Sequence, residues 1–327
     1  MEDPEGFLDG LRNKRLVLDE IHRLGNPSEL LKIAADHYPD IKILATGSST
    51  LSASAKFRDT LAGRKAELWL TPMITADLKD FGHTELKHRF RNGGLPPFFL
   101  EDRIPEQLFQ EWMDAYWAKD IQELFRLEKR HSFSRFMELL NIRSGGIFEA
   151  TAYARDCEAS RGTITNYLGV LEATFIVHVL RPFNTRRSKE IVAAPKVYAF
   201  DTGFVCYYRG WGELRREDMG LLWEHFVLNE LYAHMQSRNI HYWRDKRGHE
   251  VDFVMAPAGQ TPLAIECKWS AANFDATSLR SFRAEYPRGE NYVVAPDVKQ
   301  PFMQTYGPIR VQFLNLSGLK EKVNGRS

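Results

Sequence analysis

The chain has 327 residues, of which 43% are hydrophobic and 27% are charged, and its formal net charge is +1. This length and composition predict a globular protein of two or three domains, each large enough to bury a core. No apolar run approaches the roughly 18 residues that span a bilayer, so we expect no membrane segment. Three isolated cysteines argue against a disulfide framework or a zinc site, and the N-terminus lacks the features of a signal peptide; together these predict a cytoplasmic protein.

Residues 1–95 have the alternating strands and helices of an α/β domain. Apolar runs at Arg15–Leu18, Ile41–Ala45 and Ala66–Leu70 predict three strands. A helical segment at Pro27–His37 separates the first two. Strands that alternate with helices favour a parallel sheet with polar groups at the carboxyl ends of its strands.

Polar residues after the first two strands have the form of a nucleotide site. Asp19 and Glu20 end the first strand, as in a Walker B motif, in which the Asp holds Mg²⁺ through water and the Glu orients the attacking water. Thr46, which opens the polar stretch Thr46–Ser49, suits a γ-phosphate sensor, and Arg64 could stabilise phosphate charge. Each feature also has a structural interpretation: a solvated strand end, a helix cap and a surface ion pair, respectively.

The loop that would bind the phosphates is missing from this sequence. A Gly-x-x-x-x-Gly-Lys-Ser/Thr loop supplies backbone N–H groups and a Lys for the β- and γ-phosphates, and the chain contains no such motif. Without that loop the two carboxylates would repel a nucleotide, so we expect no tight ATP binding by this chain alone. ATP becomes a cofactor only if the loop lies upstream, in a longer reading frame.

Residues 96–200 are predicted to form a helical segment followed by a winged helix-turn-helix. Three amphipathic helices are expected, and Thr163 can cap the third, which follows the break at Ser160-Arg-Gly162. Two strands, Phe175–Leu180 and Lys196–Phe200, complete the winged-helix outline. The apolar stripes of the first and third helices are Phe133, Phe136, Met137 and Leu140, and Ile164, Tyr167, Leu168 and Leu171.

DNA is the predicted partner of this middle region. Eight Lys/Arg against three Asp/Glu between Arg181 and Arg216 indicate a basic surface. Side chains in the loop between the two strands would contact phosphates rather than bases. Alternatively, the winged helix packs domains together and touches no nucleic acid. The predicted DNA contacts are Arg186, Arg187 and Lys189 in that loop, and Thr165 and Asn166 on the exposed face of the third helix.

Residues 201–327 are predicted to carry a nuclease-like site. A strand with Asp252 is followed, fourteen residues later, by Glu266, which shares its strand with Lys268. Alternation along this second strand points Glu266 and Lys268 to the same face. Carboxylates can fix Mg²⁺, and a nearby cation stabilises charge at the scissile phosphate, so the set fits metal-dependent phosphodiester cleavage. Glu224, on the preceding helix, is a fourth candidate.

The same residues have a structural alternative, an Asp–Lys or Glu–Lys pair at a sheet surface. Charged side chains on an otherwise apolar strand are costly unless they meet a ligand or each other. A single Glu on an amphipathic helix is commonplace, and we expect Arg247 and Glu250 to be solvated turn residues. The predicted elements of this region are helices at Leu221–Met235 and Phe274–Tyr286, and strands at Ile240–Arg244, Val251–Met255, Leu263–Lys268, Asn291–Val294 and Ile309–Leu314.

The order of these features resembles a large prokaryotic group of AAA-type ATPases that carry a C-terminal winged helix and a restriction-endonuclease-like domain of unknown function. The resemblance covers nearly the whole chain. Its matching motifs are Leu-Val-Leu-Asp-Glu-Ile-His (16–22), Leu-Ala-Thr-Gly-Ser-Ser (44–49), Leu-Ala-Gly-Arg (61–64), Lys-Val-Tyr-Ala-Phe-Asp-Thr-Gly (196–203), Leu-Leu-Trp-Glu-His-Phe-Val (221–227), Glu-Val-Asp-Phe-Val (250–254) and Ile-Glu-Cys-Lys (265–268).

The resemblance implies an α/β fold built in three parts. These are a partial P-loop NTPase (AAA-type) sheet in residues 1–95, a helical lid and winged helix in 96–200, and a restriction-endonuclease-like α/β domain of the PD-(D/E)xK type in 201–327. The site residues that it implies are Asp19 and Glu20 (Walker B pair), Thr46 (sensor) and Arg64 (phosphate-proximal) in the first part, and Glu224, Asp252, Glu266 and Lys268 in the last.

These observations predict an N-terminally truncated, AAA-related protein that binds DNA and cleaves it, with Asp252 and Glu266 holding Mg²⁺ and Lys268 assisting the water. Two alternatives stay open: a non-catalytic DNA-binding or scaffold protein, and a regulatory ATPase whose phosphate loop lies upstream. In the sheet order that the resemblance implies, the strand that leads into the missing phosphate-binding loop is central. Its loss leaves unpaired strand edges in the sheet. We therefore expect residues 1–95 to be marginally stable, or completed by a partner chain or a second copy.

Overall fold

The computed structural model describes residues 3–47, 61, 63–125, 129–184, 194–256 and 260–324. The chain divides into two compact units. The first combines Met1–Leu68, Gln110–Arg135 and Ala154–Val177, and the second combines Trp69–Phe109, Phe136–Tyr153 and His178–Ser327. The three-domain division drawn from the sequence stays a prediction. No helix in the described ranges is long and apolar enough to cross a membrane.

A parallel pair of strands forms the sheet of the first unit. β1 (Arg15–Leu18) pairs with β2 (Lys42–Ala45), so both strands predicted here are confirmed. The register places Val17 opposite Leu44. Two helices belong to the same part of the chain, α1 (Pro4–Asp9) and α2 (Pro27–His37).

The two faces of this sheet differ in how far they are covered within the described part of the chain. Leu16 and Ile43 pack against a buried cluster that includes Leu30 of α2. Strand alternation points the next residues the other way, and there Val17 is 65% exposed and Leu44 is 62% exposed. Two neighbouring apolar side chains therefore lie on an open face.

The third predicted strand, Ala66–Leu70, does not form. The peptide group of Trp69 instead bonds the side chain of Gln236: its N–H donates to Oε1 at 2.6 Å, and its carbonyl accepts from Nε2 at 3.2 Å. Leu68 and Leu70 are 75% and 92% exposed. A composition that favours strands does not produce one where the backbone has no neighbouring strand to pair with.

Helices dominate the middle of the chain, as predicted. They are α3 (Thr75–Asp80), α4 (Leu86–Asn92), α5 (Pro96–Phe99), α6 (Glu106–Tyr116), a wider π-type helix (Trp117–Phe125), α7 (Arg130–Ile142), α8 (Ala150–Asp156) and α9 (Arg161–Ala173). The predicted apolar stripes of α7 and α9 are buried. The predicted cap at Thr163 is wrong, because α9 begins at Arg161 and the Oγ of Ser160 accepts the Thr163 N–H at 3.0 Å.

A small sheet follows these helices. Its strands are β3 (Gly146–Ile147), β4 (Val177–Leu180) and β5 (Lys196–Ala199), in the order β3–β5–β4. All four residues of β5 are buried, although the first is a lysine. The sequence of three helices and two later strands agrees with the predicted order of elements, and the winged helix itself stays a prediction.

The largest sheet lies in the second unit. Its strands are β6 (His241–Arg244), β7 (Glu250–Met255), β8 (Leu263–Cys267), β9 (Asn291–Val294), β10 (Phe302–Tyr306) and β11 (Ile309–Leu314). Within the described residues their order is β10–β11–β9–β8–β7–β6. β6, β7 and β8 are antiparallel neighbours, β8 pairs parallel with β9, and β9 pairs parallel with β11.

Helices pack on both faces of this sheet. They are α11 (Met219–Met235), α12 (Thr277–Glu285) and α13 (Leu316–Val323), and a further helix of this region, α10 (Thr202–Arg209), packs against α4. Ile265 of β8 joins the buried cluster that contains Trp223 of α11, whereas the next residue back, Ala264, joins the cluster that contains Phe282 of α12. The short elements α10, β10 and α13 are not predicted from the sequence, and β10 lacks the alternation of a half-buried strand.

Candidate functional site

Two neighbouring strands and one helix position the predicted C-terminal residues. Asp252 is the third residue of β7, and Glu266 lies on β8. Lys268 falls one residue beyond β8, where its backbone N–H donates to the Val294 carbonyl at 3.0 Å and keeps the chain extended. Glu224 lies in the first half of α11.

The structure brings Asp252, Glu266 and Lys268 together. Lys268 Nζ lies 2.7 Å from Glu266 Oε2 and 3.9 Å from Asp252 Oδ2. Asp252 Oδ2 also accepts the backbone N–H of Cys267 at 2.7 Å, which fixes its carboxylate against β8. The three charged groups therefore surround one point, as the alternation in sequence predicts.

Asp252, Glu266 and Lys268 contain two acidic groups and one basic group. Glu266 is only 3% exposed, and its second oxygen, Oε1, is buried without a hydrogen-bond partner among the residues described. Burial, together with the Asp252 carboxylate, raises the pKa of Glu266 to about 8. Burial also raises the pKa of Asp252, and the Glu224 charge adds to it. Burial alone would lower the pKa of Lys268, but the two carboxylates raise it, so its ammonium stays charged.

A second charged group adjoins the trio. Lys196 Nζ donates to Glu224 Oε1 at 2.8 Å and to Glu250 Oε1 at 2.6 Å. The hydroxyl of Tyr198 donates to the same Glu224 oxygen. The expectation that Glu250 is a solvated turn residue is wrong, because it opens β7 and its side chain is 26% exposed.

Lys196 and Tyr198 are site residues that the sequence analysis does not assign. A signal exists in the sequence, since a lysine and a tyrosine two residues apart share one face of an otherwise apolar strand. That spacing does not reveal the partner, which lies 28 residues from Lys196 on another element.

A cleft of about 370 Å³ opens beside these groups. Both acidic and basic side chains reach it, so a ligand in the cleft would meet either charge. Its lining residues are Arg216, Glu217, Gly220, Glu224, Asp252, Cys267, Lys268, Trp269 and Asn273.

The residues fit a hard divalent cation held by few protein ligands. Across the described ranges, no group of three or more His, Cys, Asp or Glu side chains is arranged to hold a metal ion. Lys196 and Tyr198 both donate to Oε1 of Glu224, which leaves its Oε2 as the ligand atom that Glu224 could contribute to this set. Mg²⁺ accepts one or two carboxylates and completes its shell with water and substrate phosphate, and the buried, unpartnered Glu266 oxygen is a donor of that kind.

The polar residues of the first unit are also brought together. The hydroxyl of Thr46 donates to Asp19 Oδ1 and accepts the backbone N–H of Glu20 at 3.1 Å. Arg64 is not part of this group: its Nε donates at 2.7 Å to Asp36, in the last turn of α2. Ser48 and Ser49 of the predicted sensor stretch lie outside the described residues.

The predicted DNA contacts are only partly described. Thr165 and Asn166 are exposed on α9, and the Thr165 hydroxyl donates to the Arg161 carbonyl at 3.0 Å. Arg186, Arg187 and Lys189 of the predicted loop lie outside the described residues.

Family models match three consecutive segments of the chain. Residues 2–78 match an AAA domain, 83–215 match a domain of unknown function (DUF8612), and 219–313 match another domain of unknown function (DUF4143). The first match relates residues 2–78 to AAA-family ATPases. Lys196 and Tyr198 lie in the second segment, whereas the residues that they meet lie in the third.

Two mycobacterial proteins are similar to most of the chain. These uncharacterized proteins of Mycobacterium bovis and Mycobacterium tuberculosis are each 25% identical over 305 residues, which cover 90% of this chain and 68% of the relative. A solved half-complex from a tetradecameric assembly of Thermococcus gammatolerans McrB AAA+ hexamers with bound McrC is 13% identical, with a TM-score of 0.26. That match covers 57% of this chain and spans about half (51%) of the other, too weak a likeness to define a shared fold.

Proposed function

We propose that residues 201–327 form a PD-(D/E)xK-type domain that cleaves DNA with Mg²⁺, in a protein related to AAA-family ATPases. The observation that carries the proposal is the convergence of Asp252, Glu266 and Lys268 beside an open cleft. A purely structural ion pair would have no need of the buried, unpartnered Glu266 oxygen, which is costly in the absence of a ligand.

The topology supports this proposal. A helix, α11, precedes an antiparallel meander of β6, β7 and β8, and α12 then crosses over to the parallel strand β9. This is the arrangement expected of a restriction-endonuclease-like core. Asp252 and Glu266 lie on the adjacent strands β7 and β8, so the fold itself holds the carboxylates together.

Each residue has a role that follows from its surroundings. Asp252 and Glu266 would hold Mg²⁺, and Glu224 would support it from the cleft wall. Mg²⁺, when bound, would activate a water molecule and neutralise charge on the phosphate. Lys268 stays protonated, so it would stabilise negative charge at the scissile phosphate and orient the attacking water. Arg216 lines the same cleft and can pair with a phosphate of the backbone.

DNA contacts outside the cleft belong to the same proposal. Thr165 and Asn166 on α9, with Arg186, Arg187 and Lys189, would bind the backbone and so position the duplex. A protein that binds through these groups without cleaving is the alternative function.

A plasmid-cleavage assay separates the two functions. We expect nicking or linearisation that needs Mg²⁺, stops with a chelator, and is lost in Asp252→Ala and Lys268→Ala while DNA binding persists. Asp80→Ala and Lys299→Ala remove exposed charges of the same kind and should cleave normally. Retained cleavage in Asp252→Ala would contradict the assignment of the site, and DNA binding without any cleavage by the wild-type chain would favour the non-catalytic alternative.

For the first unit, we propose that ATP binds only when a phosphate-binding loop is supplied from sequence upstream of this chain. The Asp19–Thr46 hydrogen bond supports a Walker B and sensor pair. We further propose that a partner chain covers the open face that carries Val17 and Leu44. Hydrogen exchange should then be fast in β1 and β2 of the isolated monomer. Strong protection of these strands would contradict the proposal that a partner chain covers this face.

A further inference from the structure

The buried strand β5 presents two polar side chains to the proposed nuclease site. Lys196 and Tyr198 are 4% and 0% exposed, and their spacing of two residues puts both on one face of the strand. Burying an ammonium and a phenol is costly unless both are bound, and here both are bound by Glu224.

Glu224 is held through a single oxygen. Lys196 and Tyr198 both donate to Oε1, while Glu250 takes a second bond from the same ammonium at 2.6 Å. Glu224 also lines the cleft, so Oε2 is the oxygen that it can offer to a ligand there. Two donors at one oxygen fix the rotation of the carboxylate, which a single bond would leave free.

The Lys196 side chain that binds Glu224 is a charged ammonium. Burial would lower the pKa of Lys196, but the charges of Glu224, Asp252 and Glu250 outweigh it and raise the pKa above its usual value. The ammonium of Lys196 therefore stays charged at neutral pH.

We infer that Lys196 and Tyr198 are positioning residues of the metal site, which act through Glu224 and make β5 part of that site. The inference rests on the proposed function. It also extends the site beyond the C-terminal family segment, 219–313, into the segment that precedes it. Groups that orient metal-binding carboxylates are worth about 10- to 100-fold in metal affinity in other proteins.

Binding of Mn²⁺ to the full-length chain tests this inference without relying on cleavage. Free Mn²⁺ is followed by electron paramagnetic resonance during titration of the wild type and of Tyr198→Phe, which removes one donor and no charge. We expect Tyr198→Phe to weaken Mn²⁺ binding about tenfold. Lys196→Gln should also weaken it, but that variant leaves Glu224 and Glu250 without their cation, so unfolding midpoints are needed for it.

A matched control and a double variant give the test its specificity. Tyr242→Phe removes another hydroxyl from a buried tyrosine, one that donates to the Ala194 carbonyl at 2.6 Å and not to Glu224, and should bind Mn²⁺ like the wild type. Because Tyr198 acts through Glu224, Tyr198→Phe should have no further effect once Glu224→Gln is present.

The outcomes distinguish the inference from the function beneath it. If the wild type binds Mn²⁺ and Asp252→Asn does not, but Tyr198→Phe stays within twofold of the wild type, the positioning role is wrong and the metal site stands. An equal loss in the Glu224→Gln background would likewise contradict action through Glu224. If the wild type binds no Mn²⁺, the proposed metal site is wrong, and the positioning role is wrong with it.

Discussion

The two sheets that carry acidic motifs surround them differently. In the six-stranded sheet, helices pack on both faces, Glu266 is 3% exposed, and each carboxylate of the site meets a lysine or a backbone N–H. In the two-stranded sheet, one face carries exposed Val17 and Leu44, and Asp19 is exposed beside Thr46. Charges interact far more strongly away from water. Similar motifs in sequence therefore lie in a buried, electrostatically coupled group in one region and at an exposed strand end in the other.

Breaking an ion pair in each region should show this contrast most strongly. Arg89 and Asp201, in the second unit, are each 1% exposed, with Nη1 and Oδ2 3.6 Å apart, and Asp201 also accepts the Gly94 N–H at 2.6 Å. We expect Asp201→Ala to lower the free energy of unfolding by about 3–5 kcal/mol, because it leaves a buried guanidinium unpaired. Urea denaturation measures the loss.

The matched change in the first unit is Arg12→Met, which breaks a pair with Asp40 at 3.1 Å in which the arginine is 50% exposed. It should cost less than about 1 kcal/mol. Equal losses for the two variants would mean that burial does not separate the regions in the way described.

What the sequence could predict follows the same division. Asp252, Glu266 and Lys268 were predictable because they interrupt apolar strands, and alternation places the last two on one face. Lys196 and Tyr198 interrupt β5 in the same way, but their partner lies on α11, and no local pattern identifies it. Local sequence marks a buried charge; it does not say which distant group binds it.

The predictions that were wrong, a strand at Ala66–Leu70 and a turn at Glu250, share a physical cause. Ala66–Leu70 has the composition of a strand, but Trp69 bonds a glutamine side chain in place of a neighbouring strand. Glu250 follows turn-forming residues, but it pairs with Arg244 of β6 and therefore already belongs to β7. Pairing partners decide both cases, and they are not encoded within the segment.

A buried histidine gives a pH test of the second unit. His225 is 5% exposed; its Nδ1 bonds the Leu221 carbonyl at 2.8 Å, and its Nε2 lies 2.7 Å from the Ser144 hydroxyl. The bond to Leu221 assigns the proton to Nδ1, so Nε2 accepts from Ser144. Burial lowers the pKa of His225 from 6.5 to about 4, because the folded protein disfavours the charged ring.

Stability should therefore fall on the acid side. The unfolded chain binds a proton at His225 below about pH 6.5, whereas the folded chain does not until about pH 4. The contribution of neutral His225 to the free energy of unfolding is therefore complete above pH 6.5 and is lost as the pH falls from 6.5 to about 4. We expect a loss of about 2 kcal/mol at pH 5. The raised pKa values of Asp252 and Glu266 have the opposite effect on the pH dependence of stability. The quantity to measure is therefore the slope of the free energy of unfolding against pH in the wild type, minus the same slope in His225→Asn. His131→Asn, at an exposed position, is the control, and identical slopes for wild type and His225→Asn would contradict the assignment.

The smallest expected effect concerns the open face of the two-stranded sheet. Ile265→Ala, at a fully buried position of the large sheet, should cost about 2–5 kcal/mol. Leu44→Ala removes a side chain that is 62% exposed and should change the free energy of unfolding by less than about 0.5 kcal/mol. If Leu44→Ala instead costs as much as a core substitution, something covers Leu44 in solution. A second copy would then make the unfolding midpoint of the wild type rise with protein concentration and that of Leu44→Ala much less, because association stabilises only the folded state. A midpoint that is independent of concentration in both chains would exclude the second copy.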